Sequence, residues 1–496
     1  MKTYKKVLAL ALTCALGLSA AACSTGTNSG SADTAGSGRA DASGAYLTAD
    51  DLTIIETLEN AVGGEHVITA DGETLSYSDT AVIKSGDSAE GDEADFYGDN
   101  AAVFATNGAT LDLSGILLQS SGTHANGVFS YGEGTAINIA DSVIETSGDC
   151  SGGLMTTGGG TMNASNLTIH TTGRSSAAIR SDRGGGTVTV TGGSYSTDGT
   201  GSPVVYSTAD ITVNDAKMES TASQGVVVEG SNSVTLNNVN LTADNNTKNS
   251  DKSDYYQAVM IYQSMSGDAS EGTASFTMKD GTLTNKNGDV FFVNNTVAEI
   301  ALNNATIKNE GDGVFLRAAA AGWGTEGSNG GQVTLKASGQ TIDGDMVVDE
   351  ISKLNLYLAD GSAFTGAINA DGQAGDVYVE VTGGSTWTLT GDSYITNLTC
   401  DADSINLNGH TLYVNGKAYS EGTASTGEAI EITAASGGHN GDMAPEGEGG
   451  PDMNGEKPAG EPPARPDGEK PSGEPPAKPG SENTSGSSSS GSSSGN

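Results

Sequence analysis

Along the middle of the chain, apolar residues alternate in steps of two, and the alternation is broken at regular intervals by Gly, Asn or Asp. The unit apolar–x–apolar–x–(Gly/Asn/Asp) occurs at Leu111–Leu113–Gly115, Ile137–Ile139–Asp141, Met162–Ala164–Asn166 and Val188–Val190–Gly192. It continues at Ile211–Val213–Asp215, Val234–Leu236–Asn238, Phe276–Met278–Asp280 and Ile300–Leu302–Asn304. First positions are 26, 25, 26, 23, 23, 42 and 24 residues apart. Three residues past each corner stands a second large side chain: Leu118, Ile144, Ile169, Tyr195, Met218, Leu241, Leu283 and Ile307. A third apolar column precedes each unit at Val103, Val128, Leu154, Ile179, Val205, Val228, Ile261 and Val293, and runs on through Leu316 and Val348.

Period-two alternation marks strands with one buried face. Strands this short cannot enclose a core alone. Coils stacked about 4.8 Å apart place each column residue over its equivalent, so the columns merge into one apolar interior. Stacking also satisfies the backbone of every inner coil. The Gly/Asn/Asp corner suits a left-handed bend, which those residues tolerate best. The expected fold is therefore all-β, a single-stranded parallel β-helix with three short strands per coil, right-handed by the crossover rule. A sandwich of hairpins would need two-residue turns and opposed strands, and would not hold columns in phase for eight coils.

The flanks differ. Residues 1–22 carry Lys2, Lys5 and Lys6, an apolar run from Val7 to Leu18, and then small residues, which reads as an export signal too short to span a membrane. Leu18-Ser-Ala-Ala-Ala-Cys23 resembles a bacterial lipobox, with Ala20 where Leu is usual; that resemblance implies lipidation at Cys23 and a membrane anchor. Residues 23–45 read as a Ser/Gly-rich tether, and residues 437–496 as a Pro/Gly/Glu/Ser-rich tail with a 13-residue repeat from Gly455 to Gly468. Both are expected to be disordered. Between them the pattern sets an N-terminal cap with irregular coils at 46–100, regular coils at 101–369 and irregular coils at 370–436. In the cap, strand-like runs fall at Leu52–Ile55, His66–Ala70 and Thr80–Lys84, and Asp51–Ala61 suits either a strand or a short helix.

Lys plus Arg total 22 against 62 Asp plus Glu, a formal charge of −40, so nucleic acid is excluded as a partner. The five His are scattered without ligand spacing, which argues against zinc. Cys150 and Cys400, 250 positions apart, read as buried thiols. No cofactor is expected. A weak case for calcium rests on the acid-dense stretch Asp87, Glu90, Asp92, Glu93, Asp95 and Asp99, which lacks EF-hand spacing.

The repeat resembles right-handed β-helix proteins of the bacterial cell surface over about residues 46–436. These include adhesin-like lipoproteins, carbohydrate-binding β-helices and, distantly, the polysaccharide lyases. The resemblance implies a cell-envelope location and a glycan or cell-wall polysaccharide as partner.

The residue after each third-column position points outward: Phe104, Phe129, Met155, Arg180, Tyr206, Glu229, Tyr262, Asn294, Arg317, Asp349. In a chain only 5% aromatic, this series is unusual for a structural face. Phe104, Phe129 and Met155 are expected to be covered by residues 46–100. Farther along, extra residues at Asn245–Gln257, Ser264–Gly272 and Ala318–Gly330 flank the same strand and bring Tyr255, Tyr256 and Trp323. Loops beside a flat strand face make a groove, and aromatic faces stack on sugar rings. The expected ligand site is a carbohydrate groove lined by Arg180, Tyr206, Glu229, Tyr262 and Arg317, with Trp323 on a wall. A lyase would need a basic residue beside clustered acids, and a hydrolase two carboxylates about 5–9.5 Å apart. Glu229 and Asp349 are several coils apart, and Asp349 and Glu350 point to opposite faces. The expected function is therefore binding or adhesion by a lipid-anchored surface protein without catalysis. The alternatives are a polysaccharide lyase or glycoside hydrolase, and a structural stalk that binds protein.

Overall fold

The computed structural model describes residues 46–432 apart from 265 and 373. The export signal, Cys23 and the two expected tethers lie outside the described residues. Within them, the chain winds as a parallel β-helix. Each of the first ten coils contributes one strand to each of three parallel sheets. Sheet I has ten strands from Glu56–Asn60 to Thr306–Asn309, and sheet II eleven from Ile68–Asp71 to Met346–Val348. Sheet III has thirteen, from Thr74–Ser78 to Asn397–Cys400.

Two of the three predicted columns are reproduced rung by rung. Leu111, Ile137, Met162, Val188, Ile211, Val234, Phe276 and Ile300 pair in sequence across sheet III. Leu118 to Ile307 do the same across sheet I. The third column holds from Val103 to Val205 and then slips. Val205 pairs with Val226, not Val228, and Leu316 pairs with Phe291, not Val293. Val348 in turn stacks on Ala318. The slips are of two residues, so inward and outward sides are unchanged. Val226 and Val228 both face inward from Val226–Glu229, and the alternation alone gives no reason to prefer one.

The corners show what close stacking demands. Gly115, Asp141, Asn166, Gly192, Asp215, Asn238, Asp280 and Asn304 all have φ between 47 and 73°. Their side chains form a ladder: Asn166 Nδ2 donates to Asp141 Oδ1 at 2.6 Å, Asn238 to Asp215 at 2.8 Å, and Asn304 to Asp280 at 2.7 Å. A second corner column lies between sheets I and II. There Gly122, Gly148, Gly173 and Gly199 stack so closely that a Cβ on Gly173 would stand 1.9 Å from the Gly148 carbonyl oxygen. Beside them Ser151, Ser176 and Ser202 accept from backbone N–H groups of the coil before, each at 2.9 Å.

Regular winding begins earlier and ends less abruptly than the sequence suggests. Residues 46–100 already supply Glu56–Asn60, Ile68–Asp71, Thr74–Ser78 and Thr80–Lys84 in register with later coils. A 3-10 turn, Ala49–Asp51, leads into the ambiguous stretch Asp51–Ala61, which contains the first strand, Glu56–Asn60. A six-residue helix, α1 (Asp92–Tyr97), interrupts the second coil. Sheet I stops at Asn309, and a four-stranded sheet from Thr341–Asp343 to Ile405–Asn406 follows it, its interior filled by stacked Phe364 and Trp387. The last strand of sheet III is shielded by residues 425–428: Cys400 and Ser425 exchange backbone bonds at 3.0 Å, and Gly427 N donates to Thr399 Oγ1 at 3.0 Å. Covering a free edge in this way prevents strand pairing with another molecule.

Gly173→Ala should cost about 2–4 kcal/mol, because a backbone carbonyl cannot yield to a methyl group. Asn166→Ala, which loses only left-handed tolerance and one exposed bond, should cost about 1–2 kcal/mol. Urea unfolding of both variants checks the order; equal losses would contradict the glycine ladder.

Candidate functional site

Because inward positions are committed to the core, any site must be built on the outward faces. On sheet II the slipped register sets one outward column: Phe104, Phe129, Met155, Arg180, Tyr206, Val227, Met260, Phe292, Arg317 and Val347. Glu229, Tyr262 and Asn294 form a short column beside it. Three segments fold back over this face and divide it into a covered end, an ion cluster and a pocket.

At the N-terminal end, Ala101, Phe104, Phe129 and Met155 make a separate apolar cluster outside the coil, with Tyr131 at its edge. Residues from 46–100 cover it as expected, and α1 is anchored there by Thr157 Oγ1 donating to Phe96 O at 2.7 Å. The acid-dense stretch folds into this cover. Asp87 Oδ1 accepts from Thr123 N, and Asp95 is turned inward to Arg180.

Arg180 sits between two buried carboxylates, 2.8 Å from Asp182 and 3.4 Å from Asp95. His124 Nδ1 is 3.2 Å from the same Asp95 oxygen, and Asn126 Nδ2 donates to the other at 3.0 Å. Burial opposes the Arg180 charge, but the two carboxylates more than offset it and hold its pKa above the usual guanidinium value. Burial also raises Asp95, yet Arg180 and His124 together keep it below the ordinary carboxylate range. One guanidinium does not compensate both acids. Burial, reinforced by Asp95 and Asp268 against the pull of Arg180, pushes Asp182 up to about 6.

Next along the column lies a pocket of about 280 Å³. Its floor is Tyr206, Val227, Met260 and Tyr262, and its walls are the 245–257 loop and Trp323. Both phenols donate to one buried carboxylate oxygen: Tyr206 in a short bond to Glu229 Oε2, and Tyr262 to the same atom at 3.0 Å. Glu229 Oε1 is buried with no hydrogen-bond partner among the described residues. Burial, then the neighbouring phenol and Glu229, drive the Tyr206 pKa well above normal; burial and Glu229 do the same for Tyr262, so both remain protonated donors. Trp323 packs edge-on to Tyr262 with ring centroids 5.2 Å apart. Its loop is held by Asn329 Nδ2, which donates to Ala321 O at 2.6 Å and Trp323 O at 2.8 Å. The opposite wall is tied down by Asn246 and Thr247, which donate to Thr221 O and Ala222 O. The two walls meet where Gly322 N donates to Lys252 O at 2.6 Å. These bonds tie both walls to the coils.

Of the residues singled out in the sequence, Tyr206, Tyr262 and Trp323 come together in this pocket, with Glu229 beneath them. Arg180 belongs to the adjacent ion cluster. Arg317 is two coils beyond, its Nε 2.6 Å from Asp289 Oδ2 and its guanidinium stacked 4.0 Å from the Tyr255 ring. It supports the wall from behind. The sequence reading did not place Val227, Met260 and Phe292 on this face, because the two-residue slip puts them in the column. It also passed over Lys248 and Lys252, among the described residues the only charged ones lining the pocket. A signal existed: they are two cations in an insertion of a strongly acidic chain.

The raised pKa of Asp182 has a definite sign. Its carboxyl is protonated more readily in the folded than in the unfolded chain, where the value is about 3.9. The contribution is full below that pH and is lost as pH rises through about 6. Wild type should therefore lose up to about 3 kcal/mol relative to Asp182→Asn between about pH 4 and pH 7. Unfolding free energies of the two proteins across that range test this; a constant or growing wild-type advantage would contradict it. No protein family, curated protein or solved structure matches the chain.

Proposed function

We propose that this chain is a lipid-anchored, extracytoplasmic β-helix that binds carbohydrate in the pocket beneath the 245–257 loop, without transforming it. One observation carries the reading: five aromatic side chains, Tyr206, Tyr255, Tyr256, Tyr262 and Trp323, line one pocket in a protein that is 5% aromatic. Aromatic faces match the apolar faces of pyranose rings, and the amides of Gln224, Asn245, Asn249 and Gln257 around them suit hydroxyl groups. The pocket is at the small end for ligand sites, sized for one ring of a longer chain. Among the described residues no carboxylate lines it, whereas Lys248 and Lys252 do, each close to an aromatic ring, with the exposed Asp254 3.7 Å from Lys248 outside the lining. That polarity favours sugars bearing carboxylates, such as uronates, over neutral ones. The lipobox-like Cys23 supports display at a membrane surface.

Binding to immobilised neutral and uronate-containing polysaccharides, with and without calcium, tests the proposal. The wild type should retain a uronate-containing glycan. Trp323→Ala should weaken binding by about tenfold or more, as loss of a central aromatic anchor does. A Lys248→Gln/Lys252→Gln variant should weaken only the carboxylated ligands and flatten the salt dependence. No retention of any glycan, or retention unchanged by Trp323→Ala, would overturn the pocket. Release of unsaturated uronate or new reducing ends would make the protein an enzyme.

A further inference from the structure

His124 and Cys150 are one coil apart, and the stacking brings them together. They occupy equivalent positions in the corner column beside the glycine ladder, with φ of 54° and 55°, continued by Ser175 and Gly201. His124 N donates to Asp149 O at 2.9 Å, which fixes them as successive rungs. The third participant comes from far outside the column: α1 carries Asp95 onto the same spot. One ligand atom from each of Asp95, His124 and Cys150 lies within 4.8 Å of the other two. We propose that these three residues form a binding site for a thiophilic divalent cation of the zinc type.

The donor set selects the class of ion. A thiolate and an imidazole beside a single carboxylate suit zinc and its neighbours, whereas calcium and magnesium require oxygen. Ligand atoms around tetrahedral zinc are about 3.3–3.8 Å apart. Asp95 Oδ2 and His124 Nδ1 already stand at 3.2 Å, and the Cys150 sulfur lies within 4.8 Å of both ligand atoms. Asp95 is presented by a second layer: Asn126 Nδ2 holds Oδ1 at 3.0 Å, and Asn126 Oδ1 is itself fixed by Gly152 N at 2.8 Å. Oδ2 is thereby turned toward His124. Arg180 touches that oxygen only at 3.4 Å and has its shorter bond, 2.8 Å, to Asp182, so it can yield Asp95 to a cation without losing its own partner. The charges also close. Asp95, Asp182 and an ionised Cys150 carry three negative charges against one on Arg180, and a divalent cation brings the group to neutrality. Three protein ligands leave a fourth position for water. This site is independent of the glycan pocket.

Cobalt(II) and zinc(II) titrations of the purified protein test the site. One equivalent of cobalt should give a sulfur-to-cobalt charge-transfer band that zinc abolishes. Cys150→Ser should lose the band, Cys400→Ala should keep it, and Asn126→Ala should weaken zinc binding about tenfold, the usual effect of removing an outer-layer partner. If a variant fails to fold, the wild type still decides: zinc should slow maleimide alkylation of Cys150, mapped by peptide mass, by tenfold or more. No band in wild type, a band that survives Cys150→Ser, or an alkylation rate indifferent to zinc would overturn the assignment.

Discussion

Parallel stacking at a fixed rise of about 4.8 Å governs this molecule. Every residue in an inner coil must coexist with an equivalent directly above and below it. Apolar groups satisfy the rule by merging into columns, as Leu111 to Ile300 do in sheet III. Polar groups satisfy it by ladders, in which Asn166 donates to Asp141 and Ser151 accepts from the coil before. Where backbones approach most closely, only glycine fits, and Gly122 to Gly199 form a column of their own. The same rule explains the register slip at Val226. A shortened coil can advance by two residues and keep its buried side, whereas a shift of one would turn the core outward.

The rule also dictates where recognition can be built. Inward positions are consumed by the core, and a bare outward face is a flat array of small polar groups. Concavity and burial must come from chain added between strands. Three such additions lie over sheet II: α1 at one end, the 245–257 loop in the middle, and the loop bearing Trp323. Each makes an external cluster with the outward column, apolar at Phe104–Phe129–Met155 and mixed at Tyr206–Tyr262–Trp323. Between them, where neither cover reaches fully, Arg180 is neutralised by carboxylates from two different segments. The candidate site therefore draws on both kinds of sequence: the periodic strands present Arg180, Tyr206, Glu229 and Tyr262 on one face, and the aperiodic segments supply the walls and Asp95.

Legibility divided along the same line. Tyr206, Tyr262 and Trp323, which line one pocket, could be singled out because aromatic residues stand out on a strand face and in an insertion of a chain poor in them. Phe104, Phe129 and Met155 were legible as covered, since an unpaired apolar strip so near the N-terminus needs a partner. Arg317 was misjudged for a physical reason: a strand position tells which way a side chain leaves the backbone, not that Asp289, 28 residues earlier, waits to bond it. Phe292 was missed because the outward series follows Val293 to Asn294, whereas the two-residue slip puts Phe292, on Met260, in the main column. His124 and Cys150 are not linked in the sequence, because the His positions are scattered and Cys150 is weighed only against the distant Cys400, while in the coil 26 residues amount to one rung.

By itself, the sequence determined the architecture. Periodicity is a local property repeated many times, and a repeated local preference admits few ways to bury its apolar side. Only the tertiary structure decided which outward residues meet, because their meeting depends on how three aperiodic segments cross the coils. Those crossings are set by single contacts, such as Gly322 with Lys252 and Thr157 with Phe96, that leave no period to read.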